Sequence, residues 1–318
     1  MRITNNMMSN NYLSALNKSL ERQNKLQEQL SDGKAIHRPS DDPIKTIRSL
    51  RFNTNLAMNE QFTQNIDDSL SWMESTGDAM NDLSSIMIRI KELTVSADGT
   101  KPPDALKAIG AEIDQLINQV VTVGNTKIGD RYIFAGQMDD IQPFERKQIK
   151  DPVSNVVKDV VVYNGDLNKI SMLIKPGAAN PSEDSINLTG DEVFGPTTYQ
   201  YGNPTMDVFN QLIQIKEELQ KDTPNTEWIS NIGLGNVDSI HSKQLKQYTQ
   251  LGARMSTYEM AKNMMGNNNT TIIGDISANE DLDVAAAIIE QKTSEMVYKA
   301  ALAVGAKIMP PSLVDFLR

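Results

Sequence analysis

The chain has no cysteine, which excludes disulfide bonds and chemistry that needs a thiolate. It also has no basic excess, since 31 lysines and arginines stand against 41 aspartates and glutamates. Nucleic-acid binding depends on cationic side chains that displace counterions from phosphates, so we expect no nucleic-acid partner. No apolar run approaches the roughly 20 residues that span a bilayer. The first residues also lack the apolar segment of a secretory signal, so we expect no membrane partner and, if the protein is exported, no cleaved signal peptide.

Histidine is almost as scarce, with only His37 and His241. This excludes a metal site built from several imidazoles, and no carboxylate motif replaces one. His37 lies near Asp41 and Asp42, which could orient a base, but no activated nucleophile motif accompanies it. We interpret His37 as part of a solvated joint and His241 as a helix packing residue. The sequence therefore predicts no metal, no cofactor and no catalysis.

Helical periodicity dominates both ends of the chain. Near the N-terminus leucines recur at steps of three and four residues, the seam turns polar, and one further leucine closes it. This stripe is narrow, so it offers little apolar surface to a partner helix. Its members are Leu13, Leu16, Leu20 and Leu30.

The segment "LSDGKAIHRPSDDP" follows and predicts a joint between helices. Gly33 can supply a left-handed helix C-cap, and two prolines interrupt the helical pattern. Either Ser40 or Asp42 can cap the next helix. The predicted joint residues are Gly33, Pro39, Ser40, Asp41, Asp42 and Pro43.

Two long helices are predicted next, one from Ile44 to about Ser96 and one with a heptad seam from Leu106 to Val123, for which Asp104 is a candidate N-cap. Because a short turn joins them, they should pack antiparallel. Helical spacing returns at residues 208–219 and again at 234–258.

Between these helical regions, residues 131 to about 204 are rich in β-branched residues, glycine and asparagine. An Asn-Gly pair at 164 and 165 predicts a hairpin of two strands. The polar stretch "GNNNTTIIGDISANED" at 266–281 is interpreted as a bridge between helices. The predicted fold is mainly α with a small β domain, in which a long antiparallel helical rod carries coiled-coil-like terminal helices and an inserted, solvent-facing β domain.

The last helix is apolar over an unusually wide arc, which is typical of a helix buried on most sides. The narrow stripe at Leu13 to Leu30 cannot cover it. We infer that copies of the terminal pair cover one another in an assembly and that both ends are largely disordered in the free monomer. The predicted assembly contacts are Leu13, Leu16, Leu20, Leu30, Leu282, Ile289, Met296, Val297, Leu302, Val304, Ile308, Leu313 and Phe316.

Four motifs resemble the bacterial flagellin family over nearly the whole chain, with the β insertion matching least. They are "ITNNMM", "LSDGKAIHRPSDDP", "INQVVTVGNTKIGDRYIFAG" and "DLDVAAAIIEQKTSEMVYKAALAVGAKIMPPSLVDFL". Within the family, "NTKIGDRYIFAG" is similar to the hook-associated members, because filament flagellins usually carry an "FNG"-type segment near that point. Pro310 beside Pro311 departs from the family pattern, which more often has a polar residue before a single proline.

The resemblance implies three domains and an extracellular location at the hook–filament junction of the flagellum. Residues 1–43 with 276–318 would form an inner terminal-helix core domain. Residues 44–135 with 205–275 would form the helical rod domain, and 136–204 the inserted β domain. Export through the flagellar type III apparatus would need no cleaved signal peptide.

The resemblance also implies the partners. The chain would self-associate in a ring, contact hook-associated protein 1 on the hook side and flagellin on the filament side, and be held beforehand by a type III export chaperone at its C-terminal region. It would act as a structural adaptor. The joint at residues 31–43 would absorb the mismatch between unlike neighbours.

Two alternatives stay open at this point. The chain could be a flagellin, the filament subunit itself, which indefinite self-polymerisation would identify. The β insertion could instead carry a binding or hydrolytic activity of its own, although residues 132–203 offer no nucleophile, base and orienting group together.

Overall fold

The computed structural model describes residues 5–150, 156–172, 174 and 185–308. As the sequence predicts, the fold is mainly α with a small antiparallel sheet. The helices are α1 (Asn5–Asp32), α2 (Pro43–Ser96), α3 (Pro103–Gly124), α4 (Gly190–Phe194), α5 (Asp207–Leu219), α6 (Thr226–Trp228), α7 (Leu234–Glu280) and α8 (Val284–Ile308), with a π-helical turn at Ile229–Gly233. The strands are β1 (Lys127–Ile128), β2 (Arg131–Tyr132), β3 (Phe144–Lys150), β4 (Val157–Tyr163), β5 (Thr197–Gln200) and β6 (Asn203–Met206).

The chain divides into two compact units. The terminal unit comprises Met1–Asn59 and Asn267–Arg318, and the central unit comprises Glu60–Gly266. The terminal unit therefore contains α1, α8, the first turns of α2 and the last turns of α7.

In the central unit, α2 and α7 run antiparallel. Lys91 Nζ lies 2.7 Å from Asp238 Oδ1, and Lys262 Nζ lies 2.8 Å from Asp67 Oδ1. Helix α3 folds back on α2, where Arg89 Nη2 contacts Glu112 Oε1 at 2.6 Å, so the predicted antiparallel packing is correct. The predicted N-cap of α3 is wrong, because Pro102 holds that position and Asp104 lies in the first turn.

The four-stranded sheet has the order β3-β4-β6-β5, with every neighbouring pair antiparallel. Its inner face packs on α3 and α5 through a cluster of aromatic rings, so sheet and helices share one hydrophobic core. Ring centroids in this cluster lie 4.6 to 5.6 Å apart, the range of favourable aromatic pairs. Its members are Phe134, Phe144, Tyr163, Phe194 and Phe209.

A buried ionic network ties the sheet to the same helices. Asp159 of β4 accepts hydrogen bonds from Arg146 of β3 at 2.9 Å and from Lys216 of α5 at 2.6 Å. Arg146 also donates to Asn118 of α3 at 2.7 Å. Burial alone would raise the pKa of Asp159, but hydrogen bonds from the two cations outweigh it, and the pKa lies below its ordinary value.

The predicted hairpin around Asn164 and Gly165 is wrong. Strand β4 pairs with β3 before it and with β6 after it, and among the described residues from 165 to 172 no strand follows the turn. The cause is a competing tertiary contact. Tyr163 Oη lies 3.0 Å from the carbonyl oxygen of Phe134 and 2.8 Å from that of Asp166, each within hydrogen-bond distance. Asp166 N donates to the Ala135 carbonyl, so the chain turns onto that loop.

The predicted polar bridge at 266–281 is also wrong, because α7 continues through this stretch to Glu280. Asparagine, threonine and glycine are poor helix formers, yet contacts with α2 override the propensity. Asn279 Nδ2 donates to the Lys45 carbonyl at 2.9 Å, and both Asn279 and Glu280 are buried. The break before α8 is therefore only residues 281–283.

Candidate assembly surface and joint

Helices α1 and α8 form an antiparallel pair in the terminal unit. Tyr12 Oη donates to the Ala301 carbonyl at 2.7 Å, and Arg22 Nη2 lies 2.6 Å from Glu290 Oε1. Gly305 is buried against Tyr12, and a β-carbon there would overlap the tyrosine ring. Glycine thus allows the close approach of the two helices.

The pair buries very little apolar surface of its own. Among the described residues of α1 and α8, the buried large or small aliphatic side chains are Leu26 and Ala287. By contrast Ile289 is 68% exposed, Met296 64% and Val297 57%. Apolar side chains exposed in this number on one helix pair mark an interaction site.

The structure places the sequence-predicted contacts mostly on this exposed surface. Seven are exposed, namely Leu13, Leu20, Ile289, Met296, Val297, Leu302 and Val304, and three are half-buried, namely Leu16, Leu30 and Leu282. Ile308 ends α8, and its side chain lies outside the described residues. Leu313, Phe316 and the Pro310–Pro311 pair also lie outside them.

Sequence reasoning missed part of the same surface. Met7, Met8, Val284 and Ile288 are large apolar residues of α1 and α8 that are likewise exposed. The signal was present, because the two methionines sit in the "ITNNMM" motif. They lie outside the leucine stripe from which the contacts on α1 were predicted. Together with the seven exposed residues above, these four define what we term the terminal surface.

The N-terminal side of the joint follows the predicted turn chemistry. Gly33, the first residue after α1, has φ of +70°, the left-handed conformation that favours glycine. Of the two candidate caps for α2, Asp42 takes the position. Its Oδ1 accepts from the amides of Ile44 and Lys45, both at 3.0 Å, and Pro43 is the first helical residue.

Asp41 has a different task from its neighbour. It accepts hydrogen bonds from the Arg38 amide at 3.0 Å and the His37 amide at 3.3 Å, and its Oδ1 lies 2.7 Å from Lys25 Nζ. The hydrogen bond from Lys25, with those backbone amides, lowers the pKa of Asp41 to about 2. Asp41 thus pins the loop to α1, while Pro39 and Ser40 are exposed at its tip.

The C-terminal side of the joint was not predicted from the sequence. Lys34 and Asp281 face each other in an isolated antiparallel bridge. The amide of Ala35 donates to the Glu280 carbonyl at 2.7 Å, and the amide of Leu282 donates to the Gly33 carbonyl at 2.9 Å. The two breaks in the helical chain are therefore joined as one element.

The two histidines show no catalytic arrangement. His37 Nε2 lies 3.2 Å from Asp32 Oδ2, at the end of α1. His241 Nε2 lies 2.9 Å from Ser84 Oγ, which links α7 to α2. Within the described ranges, no group of three or more His, Asp or Glu side chains could hold a metal ion. None of the helices described is long and apolar enough to cross a bilayer.

Residues 3–139 match a family model described as the bacterial flagellin N-terminal helical region. A flagellin of Clostridium tyrobutyricum is 31% identical over 127 residues, 40% of this chain and 34% of that protein. The flagellar hook-associated protein 3 of Escherichia coli is 28% identical over 200 residues, 62% of this chain and 58% of that protein. The chain thus spans less than two thirds of the length of either relative.

The fold is similar to that of a solved structure. A putative flagellar hook-associated protein from Vibrio parahaemolyticus superposes with a TM-score of 0.61 at 17% identity, over 76% of this chain and 100% of that one. At this identity the likeness concerns the fold, which combines long helices with a small antiparallel sheet.

Proposed function

We propose that this chain, whose residues 3–139 match the model of the bacterial flagellin N-terminal helical region, is a member of the bacterial flagellin family, and that it is a non-catalytic subunit that joins hook to filament. The proposed location is the hook–filament junction, outside the cell, reached by type III export without a cleaved signal peptide. The partners are hook-associated protein 1 on the hook side and flagellin on the filament side.

The observation that carries the proposal is the terminal surface. Burying one large aliphatic side chain is worth roughly 1.5–3 kcal/mol, and this surface leaves many of them in water. Other copies of α1 and α8 would supply the missing cover in a ring. Before assembly, an export chaperone would cover the C-terminal region.

The mechanism proposed is coupled folding and assembly. A helix pair with so few buried apolar side chains of its own gains little from pairing in isolation, so it becomes fully ordered only when a neighbour adds apolar area. Incorporation at the growing tip then completes the fold. We keep the proposed division into three domains. They are the inner core (1–43 with 276–318), the rod (44–135 with 205–275) and the β insertion (136–204).

A flagellin is the second candidate, and the Clostridium relative favours it. The hook-associated reading is preferred because the Escherichia relative matches a longer part of this chain and the Vibrio protein shares the fold. An independent activity of the β insertion has weaker support, since no constellation of catalytic groups stands among its described residues.

The test is a charge placed on the terminal surface. Leu302→Asp should abolish addition to hook tips, because each copy would bury a carboxylate without a partner. Asn17→Asp is the control, since it adds the same charge at an exposed polar position of α1. Tryptophan fluorescence should report an intact central unit in both, because both tryptophans, Trp72 and Trp228, lie there. Normal addition of Leu302→Asp would refute the assembly surface.

A further inference from the structure

Glu280, the last residue of α7, is buried although it carries a charge. Its side chain accepts a hydrogen bond from Ser49 Oγ of α2, and Asn53 Nδ2 of α2 lies 3.5 Å from the same carboxylate oxygen. Its other oxygen lies 3.2 Å from Lys34 Nζ in the segment after α1. One carboxylate therefore contacts three residues on two parts of the chain, α2 and the segment after α1.

The backbone of Glu280 takes part in the same contact. Its carbonyl accepts the amide of Ala35, one of the two hydrogen bonds that flank the Lys34–Asp281 bridge. The side chain and the backbone of Glu280 thus both contact the segment after α1. Hydrogen bonds to an ionised group are about twice as strong as neutral ones, so this residue concentrates the stabilising contacts of the joint.

The two sides of the joint differ in length. Residues 33–42 separate α1 from α2, whereas only residues 281–283 separate α7 from α8. Three residues offer few backbone dihedral angles, and Asp283 is already fixed as the cap of α8 through the Ala286 amide at 3.0 Å. The shorter break thus controls whether the joint bends, and Glu280 stands at its start.

We propose that Glu280 is the latch of a two-state joint: bound to Ser49 and Lys34 it holds the two breaks together, and released it frees α1 and α8 to change direction against α2 and α7 within the terminal unit. In the closed state the bridge at Lys34 and Asp281 is formed. In the open state its two hydrogen bonds break, and the longer N-terminal break follows the shorter one.

The absence of cysteine allows a direct test. Lys34 and Asp281 form a pair whose flanking residues make the hydrogen bonds, the type in which opposed side chains approach most closely. Lys34→Cys with Asp281→Cys places two thiols within disulfide range only in the closed state. Because this parent lacks the Lys34 ammonium, it reports the contact of Glu280 with Ser49 and Asn53 of α2 alone. The full-length parent is equilibrated in buffers with a fixed ratio of reduced to oxidised glutathione. The fraction of protein that forms the disulfide gives the effective concentration of one cysteine thiol near the other.

Adding Glu280→Ala to the parent should lower this effective concentration about tenfold, the effect expected from losing a hydrogen bond to a charged group. Glu280→Gln, which keeps shape but not charge, should fall between the two. Ser49→Ala should also lower the effective concentration. Combining Ser49→Ala with Glu280→Ala should lower it little further, because the contact between Ser49 and Glu280 is already lost in either single variant.

Glu290→Ala is the matched control, since Glu290 forms an exposed ion pair with Arg22 in the same unit away from the joint. It should leave the effective concentration unchanged. Equal values for the parent and Glu280→Ala would overturn the latch, and so would equal values for the parent and Ser49→Ala. The readout needs no hook or filament, so a failure of the proposed function would be recognised separately.

Discussion

Gly305 lies directly against the ring of Tyr12, whose hydroxyl donates to the carbonyl of Ala301 one turn earlier on α8. This contact fixes how closely and in which register the two terminal helices pair. The two helices bury few other side chains against each other, so the geometry of the terminal surface depends on this close contact.

Gly305→Ala should therefore weaken the pair although alanine favours helices. A β-carbon would overlap the Tyr12 ring, and such overpacking costs about 1–3 kcal/mol. We expect fewer subunits added per hook tip, counted by electron microscopy. Gly252→Ala is the control, because that glycine is also helical and has open space around it. Equal addition by both variants would contradict the role of the close contact.

Asp42→Ala should destabilise the start of α2 by about 1 kcal/mol, since two backbone amides lose their acceptor. Asp42→Asn keeps an acceptor oxygen and should lose much less. Hydrogen exchange at Ile44 and Lys45 measures the difference. If alanine and asparagine exchange alike, Asp42 is not the functional cap of this helix.

The contacts of Asp41 predict that the stability of the joint loop depends on pH. Its pKa falls from an ordinary 3.8 to about 2. A depressed carboxyl pKa contributes stability that is fully present above about pH 3.8 and is lost as the pH falls through about 2. The side-chain carboxyl carbon of Asp41, followed by NMR, should titrate near pH 2 in the folded loop, and Lys25→Met should move its midpoint upward. A midpoint already near 3.8 in the unaltered chain would refute the contact.

Two ion pairs of strand β4 should contribute unequally to the free energy of unfolding, because one belongs to the buried network and the other is partly exposed. Asp159→Ala removes the nearest acceptor of the buried Lys216, which keeps a second ion pair with Asp114 at 3.4 Å, and should cost about 1.5–3 kcal/mol, as expected for hydrogen bonds to a charged group. Glu217→Ala breaks only a partly exposed pair with Lys158 and should cost about 0–1 kcal/mol. Urea unfolding followed by tryptophan fluorescence compares them. Similar losses in the two variants would mean that the network does not hold the sheet.

How far the sequence predicts the structure depends on the range of the contacts. Gly33 and Asp42 act through backbone groups only a few residues away, so turn chemistry predicts the left-handed residue at Gly33 and includes Asp42 as one of two candidate caps of α2. The periodic stripes likewise predict α2, α3 and much of the terminal surface. All of these depend on local pattern or on one helix face.

The buried position of Glu280 could not be predicted from local sequence pattern. Its partner Ser49 is 231 residues away in the chain, and nothing near "SANED" indicates a buried carboxylate. The wrong hairpin at Asn164 has the same origin, because Tyr163 and Asp166 bind the loop at residues 134–135 in preference to forming a turn between strands. In both places a long-range contact outweighs a local preference.

Addition to hook tips as a limited junction layer is the behaviour that we propose for this chain. The most direct measurement mixes the purified protein with isolated hooks carrying hook-associated protein 1, and in parallel with flagellin seeds, and examines both by electron microscopy. The account predicts a short zone of fixed length on the hooks that then accepts flagellin, and no long polymer on the seeds. Filaments that lengthen without limit would identify a flagellin, and a protein that adds to neither would contradict the account.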